Sequence, residues 1–242
     1  MTTKDKINTY RTTAVVVGVV WLAGFVLAVV GNNLILSILG VPNHLATVSA
    51  NSMQVAIGGM LMLICSAAEV ALGVLMFPVL KQHDERIALG YLGSKIVDAV
   101  FFVVWVIFLL IQIPLGSEYL KAAALDTSYL QALSTVSIQA SQYAYQISQI
   151  AVVLAGFLLC YMFYRTKLVP RWVAVWGLAG YAVLLFGSVL EVLGFDLHLI
   201  QTIPGGLWEL FICVWLIAKG FSYSESAPQA TKTSILAEPL VP

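Results

Sequence analysis

The sequence predicts an all-α, polytopic membrane protein: a bundle of six transmembrane helices with both termini in the cytoplasm. Three observations predict it. Sixty per cent of the 242 residues are apolar and only ten per cent are charged, with a mean hydropathy of +0.94, whereas roughly a quarter of an ordinary soluble domain is charged. Apolar runs of the length needed to span, about 20 residues each, recur along the chain and leave no stretch for a separate soluble domain. Lys and Arg are sorted by side. Ten of them (4, 6, 11, 81, 86, 165, 167, 171, 219 and 232) fall at the two ends or in alternate connections, one (121) in an outer connection and one (95) inside a span. By the positive-inside rule this pattern puts both ends in the cytoplasm, and a bacterial cytoplasmic (inner) membrane is the expected location.

The segment 1–13 carries Lys4, Lys6 and Arg11 against Asp5 and is expected to be cytoplasmic. The first span, about 14–36, is too long for a signal peptide and shows no small-residue cleavage site. Along it Gly24, Ala28 and Asn32 recur every four residues, a spacing that admits a neighbouring helix closely. Residues 37–52, with Gly40, Pro42, Asn43 and His44 and no Lys or Arg, read as an outer loop. The second span, 53–80, holds Glu69 well inside and Pro78 near its end; Lys81 to Arg86 is a short charged inner loop.

The third span, 87–113, contains Lys95 and Asp98, with Gly90, Gly93 and Ser94 as a small-residue patch before them. The connection from Pro114 to Leu130 shows no basic bias and is expected to be an outer loop. The fourth span, 131–164, is polar in its outer half. There Gln139, Gln142, Gln146 and Gln149 step by three, four and three, which sets all four amides on one stripe of a helix. Such a stripe needs the bundle interior, a cavity or the outer water. Arg165, Lys167, Pro170 and Arg171 form a basic inner loop, with Pro170 suited to starting the fifth span, 171–193. The sixth span, 199–221, is read as interrupted early by Pro204-Gly-Gly206, with Glu209 soon after. Residues 222–242, rich in Ser, Pro, Ala and Thr, are expected to be a disordered cytoplasmic tail. A division into three plus three spans would make the halves inverted repeats, but they show no residue-level similarity.

Charge at bilayer depth needs a partner or a water-filled cavity. Lys95 and Asp98, three apart, lie on one face of a helix. Counted from the inner boundary, Lys95 lies about 13 Å deep, Asp98 about 18 Å, and Glu69 and Glu209 both about 16 Å. One cation and three acids therefore share a level, with Glu69 to Lys95 and Lys95 to Asp98 as candidate contacts. Desolvation and like charge both disfavour an ionised carboxylate, so at least one of the three is expected to carry a proton at neutral pH. That makes Glu69, Lys95, Asp98 and Glu209 a candidate proton or solute site. The plainer account of the same residues is a purely structural role, since buried ion pairs hold helices in register; an interhelical hydrogen-bonding seam is likewise the plain account of the glutamines.

Other chemistries lose ground on residue types. Zero net charge gives a nucleic acid no basic face. Cys65, Cys160 and Cys213 lie in apolar runs with no CxxC spacing and read as small core residues. His44, His83 and His198 all fall in loops, so neither a bis-histidine haem nor an intramembrane serine hydrolase has its histidine, and no HExxH is present. Glu191, Asp196, His198 and His44 read as solvated outer loops, because they lack fixed metal-ligand spacing. Tyr91, Tyr143, Tyr145 and Tyr181 suit a pocket or the membrane interface. A lysine near an aspartate also suggests a retinal Schiff base, but six spans and a third-helix lysine fit that poorly. No cofactor or metal is expected, and no nucleophile with a base marks an enzyme.

Several segments together resemble one family: Glu69-Val-Ala-Leu-Gly-Val-Leu, the short charged loop with a basic residue inside helix three, Tyr164-Arg-Thr-Lys-Leu-Val-Pro-Arg171, and Leu207-Trp-Glu209-Leu ahead of Trp215-Leu-Ile-Ala-Lys-Gly220. They resemble the domain-of-unknown-function family numbered four-three-eight-six, bacterial multi-span membrane proteins without an assigned activity, over about residues 14 to 221. On that resemblance Glu69, Lys95, Arg165, Pro170, Arg171 and Glu209 occupy recurring polar or loop positions. Lys95 stands where arginine is commoner, and Gly31-Asn-Asn33 lacks a charge often found there. The expected function is a small-solute or proton-linked transporter in the lipid bilayer; the alternatives are a structural or regulatory membrane protein and a membrane enzyme.

Overall fold

The computed structural model describes residues 3–122, 127–195, 197 and 200–222. Asp126, Asp196, His198 and residues 223–242 of the expected tail lie outside them. Among the described residues the chain is all helical and has no strand: α1 (Thr3–Leu39), α2 (His44–Ala50), α3 (Ser52–Lys81), α4 (Glu85–Leu110), α5 (Gln112–Lys121), α6 (Thr127–Thr166), α7 (Arg171–Val192) and α8 (Thr202–Ala218). Among the described residues, five segments are long and apolar enough to cross a membrane: Tyr10–Leu39, Ser52–Lys81, Glu85–Lys121, Thr127–Thr166 and Arg171–Val192. The 17 residues of α8 form a shorter apolar helix.

Four expectations are corrected. The stretch 37–52 is not all loop, since α2 lies within it, and 114–130 contains most of α5. The third helix breaks at Ile111, which alone separates α4 from α5, inside one apolar segment that runs on to Lys121. Pro204-Gly-Gly206 does not interrupt the last helix, which starts at Thr202. Prolines mislead for the same reason in both places: Pro114 and Pro204 each sit in a first turn, where the missing N–H would have had no intrahelical acceptor.

Sequence chemistry sets the turns at the basic end of the bundle. Asp84, extended at φ −158°, caps α4 by accepting from the N–H groups of Arg86 and Ile87 at 3.0 and 3.2 Å, as a carboxylate at a helix N-terminus should. Lys167 at φ 57° follows α6, and Pro170 stands at the position just before α7. The basic segments meet at one end of the bundle. Tyr10 donates to the Gln82 side-chain carbonyl, Arg165 stands 3.9 Å from Asp84, and the Ser222 N–H bonds the Leu168 carbonyl at 2.8 Å.

The long helices pack as a ring in chain order: α1 on α3, α3 on α4, α4 on α6, α6 on α7, α7 on α8, and α8 back on α1. α2 packs on α5 at the end opposite the basic turns. Small residues set the closest seams. A Cβ on Gly31 would lie 2.6 Å from the Gly58 carbonyl oxygen, and one on Gly58 would lie 2.7 Å from that of Gly31, so α1 and α3 touch backbone to backbone. Gly24, first of the Gly24, Ala28, Asn32 row, faces Ala68 and Cys65 of the same α3. Gly18 meets Cys213 and Ile217 of α8 in the same way. In the proposed patch before Lys95, Gly90 faces Leu158, but Gly93 faces no other atom within 4 Å.

Gly31→Ala and Gly58→Ala are expected to cost about 1–3 kcal/mol by forcing two backbones apart, visible as lower melting temperatures in detergent. Gly93→Ala should melt like the unaltered protein. A second outcome concerns the inner turn, where burial, and then the Arg165 guanidinium, hold the His83 imidazole below its ordinary pKa. The unfolded chain then binds the extra proton more readily, so this contribution to stability is present above the unfolded pKa and is lost as pH falls below about 6.5. Melting measured from pH 7.5 to 5.5 should fall less steeply in His83→Gln.

Candidate functional site

At the charged level α3 and α4 pack closely. Gly73 brings them together: a Cβ there would meet the Lys95 Cβ at 3.2 Å and Leu92 at 2.9 Å. One turn before it, Glu69 presents its carboxylate to α4, and the Lys95 Nζ reaches Oε2 at 2.5 Å. The Asp98 Oδ2 is 4.0 Å from the same nitrogen. Lys95 and Asp98 are 4% and 1% exposed, so both charges are out of bulk solvent. The ammonium also sits 5.9 Å from the ring centre of Trp21 on α1, within cation–π range.

Each remaining acid has its own donor. The Ser148 hydroxyl of α6 donates to Asp98 Oδ1 at 2.5 Å, while Oδ2 accepts no hydrogen bond from the described residues. The Tyr181 hydroxyl of α7 donates to Glu209 Oε1 of α8 at 3.0 Å. Gly156 of α6 makes this possible, because any Cβ there would collide with the Tyr181 ring. Six helices thus converge on one level. Glu69, Lys95, Asp98 and Glu209 all line a single cavity of about 430 Å³, with Trp21, Phe25, Phe102, Trp105 and Tyr145 among its walls.

The four glutamines do not share one environment. Gln149 lines the cavity and Gln146 is buried, but Gln139 and Gln142 are exposed. With 40 residues α6 runs about 60 Å, about twice the hydrocarbon thickness, so its outer half includes positions beyond the packed ring. The buried face of that half is a different one. Ser134, Ser137, Ser141, Ala144, Ser148, Ala151 and Ala155 are all buried and alternate steps of three and four, the period of a close-packed helix seam. That small-residue heptad is the sequence signal for Ser148.

Glu191 is corrected as well. It is not a solvated loop residue: Gln146 donates to one carboxylate oxygen and Gln201 to the other at 2.7 Å. His44 is likewise half-buried and lies 2.8 Å from the Ser134 hydroxyl. Of the tyrosines, Tyr145 lines the cavity, Tyr181 holds Glu209, Tyr91 is buried and Tyr143 is exposed. Cys65, Cys160 and Cys213 are free and buried. Among the described residues no group of three or more His, Cys, Asp or Glu is placed to hold a metal ion. Trp21 and Trp105 were missed, since single tryptophans in apolar spans carry no periodic signal.

Lys95→Met leaves Glu69 and Asp98 buried without their cation and is expected to destabilise by about 3–5 kcal/mol. Glu69→Gln combined with Lys95→Met should recover part of that loss. A double-mutant cycle of melting temperatures in lipid nanodiscs measures the coupling.

A family model described as Domain of unknown function (DUF4386) matches residues 16–220. Neither the curated proteins nor the solved structures contain a match.

Proposed function

The chain belongs to that family of unknown function, and from the charged cavity at its centre we propose that it is a small-solute or proton-linked carrier. The observation that carries this proposal is the shared wall: one ammonium and three carboxylates line one cavity of about 430 Å³, a size suited to a small molecule. Lys95 can match one carboxylate. The others need protons or a bound cation to be neutral, which is the property required of a group that loads and releases.

On this proposal residues 14–221 are one transmembrane domain of six spans in a bacterial cytoplasmic membrane, with residues 1–13 and 222–242 cytoplasmic. Two features support it. The five long segments are joined in the ring by α8, whose 17 residues lie at the lower limit of a spanning helix, and the basic turns gather at the end that holds Arg11 and Gly220. A scaffold role is the second candidate, favoured by the 2.5 Å ion pair that ties α3 to α4.

Proteoliposomes containing the full chain are expected to carry proton flux under an imposed pH gradient, reduced at least tenfold by Glu69→Gln or Glu209→Gln while the melting temperature still reports a folded protein. Equal flux from a folded double variant would rule out the carrier and leave the scaffold.

A further inference from the structure

The ring is not closed evenly. At the inner end the α1–α8 seam is tight: a Cβ on Gly18 would lie 2.8 Å from the Cys213 carbonyl oxygen and 2.8 Å from Ile217. Further along, the facing residues of the two helices instead line the cavity: Phe25, Val29 and Asn32 from α1, Ile203, Gly206 and Leu207 from α8. Val29, Ile203 and Leu207 are also 44%, 56% and 55% exposed. The same apolar side chains thus touch both the cavity and the outside of the ring, so the cavity opens sideways between the outer halves of α1 and α8. At Gly206 the gap is wide enough that an added Cβ would meet nothing within 4 Å.

Inside, the surplus is acidic and the walls are aromatic. Asp98, 1% exposed, keeps Oδ2 without a hydrogen bond from the described residues, and Trp105, 8% exposed, keeps its indole N–H likewise. Buried polar atoms of this kind are ordinarily satisfied by something. Both residues face the cavity. Aromatic walls beside a carboxylate favour an organic cation, which gains from ring quadrupoles as well as from charge.

Resting on the carrier proposal, we infer that the solute is an amphiphilic organic ammonium ion. Its cationic head lies among Asp98, Glu209 and the cavity aromatics, and its apolar body points out through the α1–α8 opening. Charge balances simply: a carboxylic acid at the site gives up its proton to water as the ammonium arrives, so one positive charge replaces another and no covalent bond beyond O–H changes. An anionic amphiphile meets the surplus carboxylates and is repelled. A neutral one of equal length gains only the apolar contact.

The test uses the full chain in lipid nanodiscs and equilibrium dialysis of radiolabelled octyltrimethylammonium, with protein-free nanodiscs as blank and octyl sulfate and octanol as comparison probes. The expected result is saturable binding of the cation alone, weakened at least tenfold in Asp98→Asn and in Glu209→Gln, and proton release on binding in weak buffer. Gly206→Trp, placed at the opening away from the acids, should also abolish binding, and it decides the matter should the acid variants fail to fold. Gly93→Ala should bind normally. Octanol or octyl sulfate binding as well as the cation, or cation binding indifferent to the acid and Gly206 changes, would overturn the assignment. Proton flux without saturable cation binding keeps the carrier and overturns this solute; cation binding with no proton flux even when octyltrimethylammonium is supplied to the proteoliposomes supports the site and overturns the carrier.

Discussion

An ammonium within the low-dielectric interior of a helix bundle is the constraint to which much of this structure answers. Lys95 cannot face lipid without a large cost, so the ring must supply a counter-charge within reach and hold it there. Glu69 does so from α3 at 2.5 Å, and that contact requires α3 and α4 to approach at Gly73, where a side chain would press on Lys95 itself. The glycine and the ion pair are therefore one feature. The Trp21 ring adds a third side from α1, which places the first, second and third spanning helices around a single nitrogen.

Without a hydrophobic drive between helices in lipid, close packing must come from small residues and from hydrogen bonds across seams. The ring uses both. Gly31 with Gly58, Gly18 with Cys213 and Ile217, and Gly180 with Gly205 bring neighbouring backbones together, while Ser66 donates to the Ala99 carbonyl and Trp208 to that of Val173. Packing neighbours tightly along the perimeter has a geometric consequence. Six helices in a ring leave a centre, and here that centre is the aromatic-walled cavity.

Much of this was legible in the sequence, for reasons tied to particular residues. The five long apolar segments were readable because hydrophobic length is a strong signal, and Glu69, Lys95, Asp98 and Glu209 stood out because charge in an apolar run has few explanations. Their common level followed from counting turns. What could not be read was direction. Gln139 and Gln142 share a stripe with Gln146 and Gln149, yet the helix outruns the ring and leaves them exposed. Tyr181 reaches Glu209 only because Gly156, on another helix, leaves room for its ring, a long-range fit with no local pattern. Pro114 and Pro204 looked like breaks because proline usually is one, and only the position in a first turn reverses that meaning.

The surplus of acid is where packing alone ceases to be a sufficient account. One carboxylate is enough to pair a buried lysine, and replacing further buried charge with apolar side chains commonly leaves a protein as stable or more so. Asp98 and Glu209 are nevertheless present, each supplied with a dedicated hydroxyl donor from a different helix, and Asp98 retains an oxygen turned toward the cavity without a hydrogen bond from the described residues. Donors to carboxylates favour the ionised form, whereas burial and like charge oppose it. The ring is also asymmetric: the α1–α8 seam is tight at Gly18, near the basic turns, whereas a Cβ on Gly206 would meet nothing within 4 Å, and there apolar side chains of both helices line the cavity.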